Sequence, residues 1–159
     1  MMTAPACTWF DFSDPLPIAN QIGFFKRSDR PISYRTIEDL RPYKIGIVRW
    51  YSNPVAFEQA GLDTEAVTDD RLNMKKLAAG RIDLVLIDKV IGHCIIETEL
   101  PESAHRLEWL EPTLNTDDQY VIFSRAVEDF DKKRSDFNRG LKQIIQSWAV
   151  QAIIERHGF

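Results

Sequence analysis

The chain has 159 residues, 44% hydrophobic and 28% charged, with a formal net charge of −4. That balance excludes a disordered chain, which is less apolar and more strongly charged, and the length fits one compact domain of about 100–200 residues. No apolar run reaches the roughly 18 residues of a membrane span, and the mild acidity argues against a nucleic-acid binder, which carries a basic face.

The start, Met1-Met2-Thr3-Ala4-Pro5-Ala6-Cys7, has neither the basic segment nor the apolar segment of a signal peptide. Read from Met1, the chain is expected to stay in the cytoplasm. Pro15, Pro17 and the Phe12-Ser13-Asp14-Pro15 turn signal make residues 11–20 extended or looped. Ile22–Lys26 reads as a strand. Thr36 starts a short helix to Leu40, with Asp39 at the capping-box position and Pro42 beyond its end.

Lys44–Val48 is a short apolar run rich in β-branched residues, the pattern of a buried strand. Asn53 and Pro54 follow as N-cap and first residue of a helix that reaches Ala60 and stops at Gly61. Glu65–Thr68 is a second short strand. Asp69 or Asp70 caps the next helix, whose apolar side is expected at Leu72, Leu77 and Ala78, with Gly80 closing it. Ile82–Asp88 is the clearest strand, a nearly continuous apolar run. The helix after it, Lys89 to Thr98, is expected to bury Val90, Ile91, Cys94 and Ile95. Leu107–Leu110 and Gln119–Ser124 read as strands. A helix over Asp131–Trp148 carries the stripe Phe130, Phe137, Leu141, Ile144, Ile145 and Trp148, and a last helix carries Ile153 and Ile154.

Alternating strands and helices imply an α/β protein with a largely parallel sheet in its middle. In such sheets ligands bind beyond the carboxyl ends of the strands. Two places lie there: Arg49-Trp50-Tyr51-Ser52-Asn53, and Asp88. Cys7 and Cys94 are expected to be free thiols, with a single bridge between them the alternative. His93, His105 and His157 lack metal-ligand spacing, so no metal site is expected. His93 reads as a helix surface or packing residue, and His157 sits in the last helical turn.

Several stretches, in this order and spacing, resemble the family 3 bacterial solute-binding proteins, the periplasmic receptors of amino-acid ABC transporters. They are Phe10-Asp11-Phe12-Ser13-Asp14-Pro15, Ile37-Glu38-Asp39-Leu40 with Lys44–Val48, Leu77-Ala78-Ala79-Gly80-Arg81-Ile82-Asp83 running on to Asp88, and Phe137-Asn138-Arg139-Gly140-Leu141. The resemblance implies a periplasmic-binding-protein-like type II fold: two α/β lobes joined by hinge strands, closing on a ligand. On that reading residues 1–25 are a residual piece of the first lobe with the first hinge. Residues 26–118 are the complete second lobe, and 119–159 are the return hinge and the C-terminal helices of the first. The family's aromatic wall and carboxylate-clamping arginine, which belong to the first lobe, have no counterpart here. The isolated chain is therefore expected to bind free amino acids weakly or not at all.

The resemblance carries a ligand-binding role onto Asp88, as acceptor for a ligand ammonium, and onto Tyr51, Ser52 and Asn53, the ligand-contacting turn. Trp50 departs from the pattern, since many members have Gly there; its ring could stack on a ligand or fill the crevice. Arg49 could serve an acidic ligand or be solvated. Asp88 could equally cap the helix beginning at Lys89, and Ser52 and Asn53 could simply start the helix that follows them, where exposed N–H groups could also hold an anion. No nucleophile elbow, P-loop or dinucleotide fingerprint is present, so no catalytic residue and no cofactor are expected, and a non-catalytic binder is favoured. Its partners on this reading are a small amino-acid-like molecule and, for a full-length chain, an ABC transporter permease, and the resemblance implies a periplasmic location for the protein. Two alternatives remain: a half-clamshell sensor module that self-associates as a homodimer, and a dehydratase-like enzyme on the same fold.

Overall fold

The computed structural model describes residues 9–156; the expectations on Cys7 and His157 lie outside the described residues. The chain divides into two compact units, one formed by Asn20–Thr116 and the other by the residues up to Ala19 with those from Asp117 onward.

The larger unit is built on a five-stranded sheet. Its strands are β2 (Ala19–Arg27), β3 (Ile45–Val48), β4 (Thr64–Val67), β5 (Leu84–Asp88) and β6 (Leu107–Asp118), in the order β4-β3-β5-β2-β6. β3 pairs parallel with β4 and β5, whereas β2 pairs antiparallel with β5, so the sheet is mixed. Parallel neighbours need crossovers: α1 (Val55–Gln59) joins β3 to β4, and α2 (Asp70–Ala78) joins β4 to β5. After β5 comes α3 (Lys89–Glu99), and a 3-10 helix at Pro101–Arg106 leads into β6.

β5 explains its own sequence. Val85 and Ile87 pack on one side with Phe25, Met74, Leu77, Ile95, Ile96 and Leu107. Leu84 and Leu86 pack on the other with Phe24, Tyr34, Leu40, Ile45, Phe57 and Leu110. A strand buried on both faces reads as continuous rather than alternating hydrophobicity. The neighbouring Phe24 and Phe25, both wholly buried, are split between the two cores by the same two-residue period.

Helix ends follow their local chemistry. Asp69 Oδ1 accepts from the Leu72 N–H at 3.0 Å and caps α2. The helix closes with Gly80 N–H to the Leu77 carbonyl and Arg81 N–H to the Lys76 carbonyl, both 2.9 Å, which needs Gly80 at φ 70°. At the 3-10 turn Ile37–Leu40, the Asp39 carboxylate accepts from the N–H groups of Arg35 and Thr36 at 2.9 and 3.0 Å.

Several expectations are corrected. α1 begins at Val55 and the Pro54 carbonyl accepts its first bonds, so Asn53 is not its cap. α2 buries Asp70, Asn73, Met74 and Leu77, while Leu72 is exposed. α3 buries Gly92, Ile95 and Ile96, while Val90, Ile91 and Cys94 are exposed. Gly92 favours that rotation: a Cβ there would stand 2.2 Å from Cε2 of Phe25, so the helix approaches the Phe25 ring closely at this point. The His93 ring meets Phe25 edge-on at 5.1 Å. β6 runs well past Leu110, because as the last strand in the order it tolerates Pro112.

In the smaller unit, β1 (Phe10–Phe12) pairs antiparallel with β7 (Ile122–Ser124), shorter than the expected Gln119–Ser124. The Asp11 carboxylate joins β1 to α4 (Phe130–Gln146) through an ion pair with Arg134. Phe123 meets Phe137 edge-on at 5.9 Å. The helix expected over Asp131–Trp148 ends at Gln146; Trp148 stands at φ 61°, and the expected last helix follows as α5 (Ala149–Arg156). The apolar stripe is not a core among the described residues, since Ile144, Ile145 and Trp148 are all exposed. No described helix is long and apolar enough to cross a membrane.

Gly92→Ala tests the helix placement. The substitution gains helix propensity but forces Phe25 to move, and overpacking is expected to win, lowering unfolding stability by about 1–3 kcal/mol. Urea denaturation measures it; an unchanged or higher midpoint would show that α3 does not rest on this contact.

Candidate functional site

At the carboxyl ends of β3, β4 and β5 the larger unit opens into a crevice of about 430 Å³. Each parallel strand delivers polar groups to it. The turn after β3 supplies Trp50, Tyr51, Ser52 and Asn53; the start of α2, three residues beyond β4, supplies Asp70; and Asp88 ends β5. β2, running the other way, adds Asn20 and Ile22, and Ile91 enters from the exposed side of α3.

Five of the six residues singled out in the sequence therefore line one crevice: Trp50, Tyr51, Ser52, Asn53 and Asp88. Arg49 does not line it; its side chain is exposed, and its N–H bonds the Val67 carbonyl at 2.9 Å. Asp88 is the N-cap of α3, with Oδ1 accepting from the Ile91 N–H at 3.0 Å. Capping engages one oxygen, and a carboxylate has further acceptor sites. Trp50 is 99% exposed and sits at φ 71°. That left-handed conformation is strained for a bulky residue, and Gly is the residue that adopts it freely. The anion-holding expectation for the start of α1 gains little here, because a five-residue helix has a weak dipole.

Asp70 is the residue that sequence reading missed. It is 7% exposed, its Oδ2 accepts from the Tyr51 hydroxyl at 3.1 Å, and its Oδ1 is buried without a partner. An unsatisfied buried acceptor costs about 1–3 kcal/mol, more for a charged group. Burial pushes the Asp70 carboxyl above the usual carboxylate range; the Tyr51 bond opposes this, and the charges of Asp69 and Asp88 add to it. The Tyr51 phenol is raised in turn, chiefly by the Asp70 charge. A signal existed: Asp70, Asn73, Met74 and Leu77 stand at i, i+3, i+4 and i+7, the buried face of a helix. A search for apolar residues alone passes over its two polar members.

No protein-family model matches the sequence, and no curated protein matches it. Solved structures do. A mutant of ArgBP from T. maritima superposes with a TM-score of 0.71 at 17% identity, covering 98% of this chain and 64% of that one. The amino acid ABC transporter substrate-binding protein AbpA from Streptococcus pneumoniae, bound to L-arginine, gives 0.70 at 14% identity, with 98% and 64% covered. The GluR0 ligand-binding core from Nostoc punctiforme, in complex with glutamate, gives 0.70 at 17% identity, with 98% and 68% covered. This chain has the periplasmic-binding-protein-like fold. It spans about 64% of the length of the first two of these proteins.

Within the periplasmic-binding-protein-like fold, the chemistry of the crevice is acidic. Among the described residues, Asp70 and Asp88 line it, and no Lys, Arg or His does. Among the described residues no group of acidic, Cys and His side chains is arranged to hold a metal ion.

The raised Asp70 carboxyl yields a stability test. The folded chain holds that proton more tightly than the unfolded one, so stability falls as pH rises from the ordinary carboxylate range through the native pKa. Above it the penalty is fully present. Asp70→Asn removes the charge at nearly constant shape. It is expected to raise the thermal midpoint at about pH 7 and to lose that gain near pH 4, the ordinary carboxylate range. Circular-dichroism melts at both pH values check it; a variant less stable at both would show that the carboxylate is well accommodated.

Proposed function

We propose that the chain acts as a non-catalytic solute-binding protein, or the larger part of one, recognising a small amino-acid-like ligand for uptake by an ABC transporter. The observation that carries this reading is the crevice at the carboxyl ends of the parallel strands. It gathers the Tyr51–Asn53 turn and Asp88 against an apolar floor of Ile22 and Ile91. An ionised carboxylate at a strand end, with only one oxygen engaged in capping, suits a ligand ammonium. Hydroxyl and amide groups on the facing turn suit the polar remainder of an amino acid, and the apolar floor suits its carbon chain. The fold shared with AbpA, bound to L-arginine, and with the glutamate complex of GluR0 supports the same ligand class. Uptake places the protein with a transporter permease in the periplasm. Among the described residues the crevice gathers no Cys–His or Ser–His pair, which favours a binder over an enzyme.

The chain covers about 64% of the first matching proteins, so affinity in this chain alone is expected to be weak, with a Kd on the order of 1 mM. Titration of the ¹⁵N-labelled chain with L-amino acids, followed by amide shifts of Tyr51, Asp88 and Ile91, measures it. Asp88→Asn is the decisive variant. Asn caps a helix about as well as Asp, so the fold persists while the charge that pairs the ammonium is lost. Binding is expected to weaken at least tenfold, with little change in melting temperature. Asp88→Ala additionally removes the cap and is expected to destabilise by about 1 kcal/mol. If no amino acid moves these amides, or Asp88→Asn binds as well as the parent, the reading fails.

A further inference from the structure

One group in the crevice has no task in the reading above. Asp70 opens α2 without capping it, since Asp69 does so. It lines the crevice, is 7% exposed, and keeps Oδ1 buried with no hydrogen-bond partner. Tyr51 takes only Oδ2. A buried carboxylate that is half satisfied is unfavourable in an empty site, and becomes favourable when a donor with positive charge reaches it.

The placement of Asp70 relative to Asp88 follows from the sheet. β4 and β5 flank β3 on either side. The strand that leads to Asp70 and the strand that ends at Asp88 are therefore two strand spacings apart, roughly 9–10 Å, with Asp70 three residues beyond the end of its strand. Both line one crevice in which no described residue is basic. Two carboxylates so placed repel each other when the crevice is empty. They suit two positive groups separated by a short chain better than one compact ammonium.

We propose that Asp70 is a second ligand-binding carboxylate, and that the ligand is a dibasic amino acid whose α-ammonium pairs with Asp88 and whose side-chain cation pairs with Asp70. This rests on the amino-acid-like ligand argued above. The apolar side chains of Ile22 and Ile91, both in the lining, serve the methylene chain between the two cations. Trp50 stands at the same crevice with its side chain exposed, and an indole ring is the best aromatic partner for a cation. A neutral amino acid leaves Asp70 unpaired, and an acidic one meets two like charges.

The test is a ¹⁵N titration of the 159-residue chain with L-lysine, L-arginine, L-glutamine and L-glutamate, repeated with Asp70→Asn. The parent is expected to bind L-lysine or L-arginine at least about tenfold more tightly than L-glutamine, the discrimination typical of a site whose buried polar group is otherwise unpaired. Asp70→Asn is expected to lose that advantage while L-glutamine affinity stays within about twofold. Equal binding of all four by the parent, tighter binding of L-glutamate, or an Asp70→Asn variant that keeps the preference overturns the proposal. The parent's own ranking decides the matter if the variant does not fold. L-glutamine bound through Asp88 with no gain for the dibasic pair defeats this inference alone, whereas silence with all four defeats it together with the function proposed above.

Discussion

The structure depends on β5 being buried on both faces. Leu84 and Leu86 lock one core, Val85 and Ile87 the other, and burying each such side chain stabilises by roughly 1.5–3 kcal/mol. A strand with no solvated face has to leave the core abruptly. It does so at Asp88, where the carboxylate both ends the strand and caps α3. The polar end of β5 then lies beside the turn after β3 because the two strands pair in parallel, with Ile45 opposite Leu84 and Gly46 opposite Val85. The crevice is thus the place where the two-sided core stops.

The same constraint accounts for groups that look unrelated to the site. Asp83, just before β5, is held by Arg30 and by the Lys44 N–H, both at 3.0 Å. It fixes the start of the strand while Asp88 serves its end. Lys26, on β2, is 8% exposed yet satisfied by Glu108 and the Arg30 carbonyl. Such buried polar groups are tolerated when paired. Asp70 differs in keeping one oxygen unpaired beside a crevice. Functional sites are where that kind of local inconsistency is expected.

Much of the architecture was legible in the residues. The apolar strand expected at Ile82–Asp88 forms as Leu84–Asp88, the cap falls on Asp69, one of the two aspartates the sequence offers, and Gly80 closes the helix; each rests on short-range chemistry. The failures have a common cause. Val90, Ile91 and Cys94 form a plausible apolar stripe, but the buried face of α3 is the one that brings Gly92 against Phe25, a contact between distant parts of the chain. Leu72 looked like a core residue and is exposed, while Asp70 and Asn73 take the buried positions. Periodicity gives a helix its amphipathic character without its rotation.

By itself the sequence determined the order of strands and helices from β2 onward, the strand that must be buried, and the turn and aspartate at the ends of two parallel strands. Those follow from hydrophobic runs, caps and turn residues acting over a few positions. Only the tertiary structure decided that Arg49 lies outside the crevice, that Asp70 lies inside it with one oxygen unpaired, and that β2 runs against its neighbour. Those outcomes depend on which strands become neighbours across the sheet, and no local pattern of residue types carries that information.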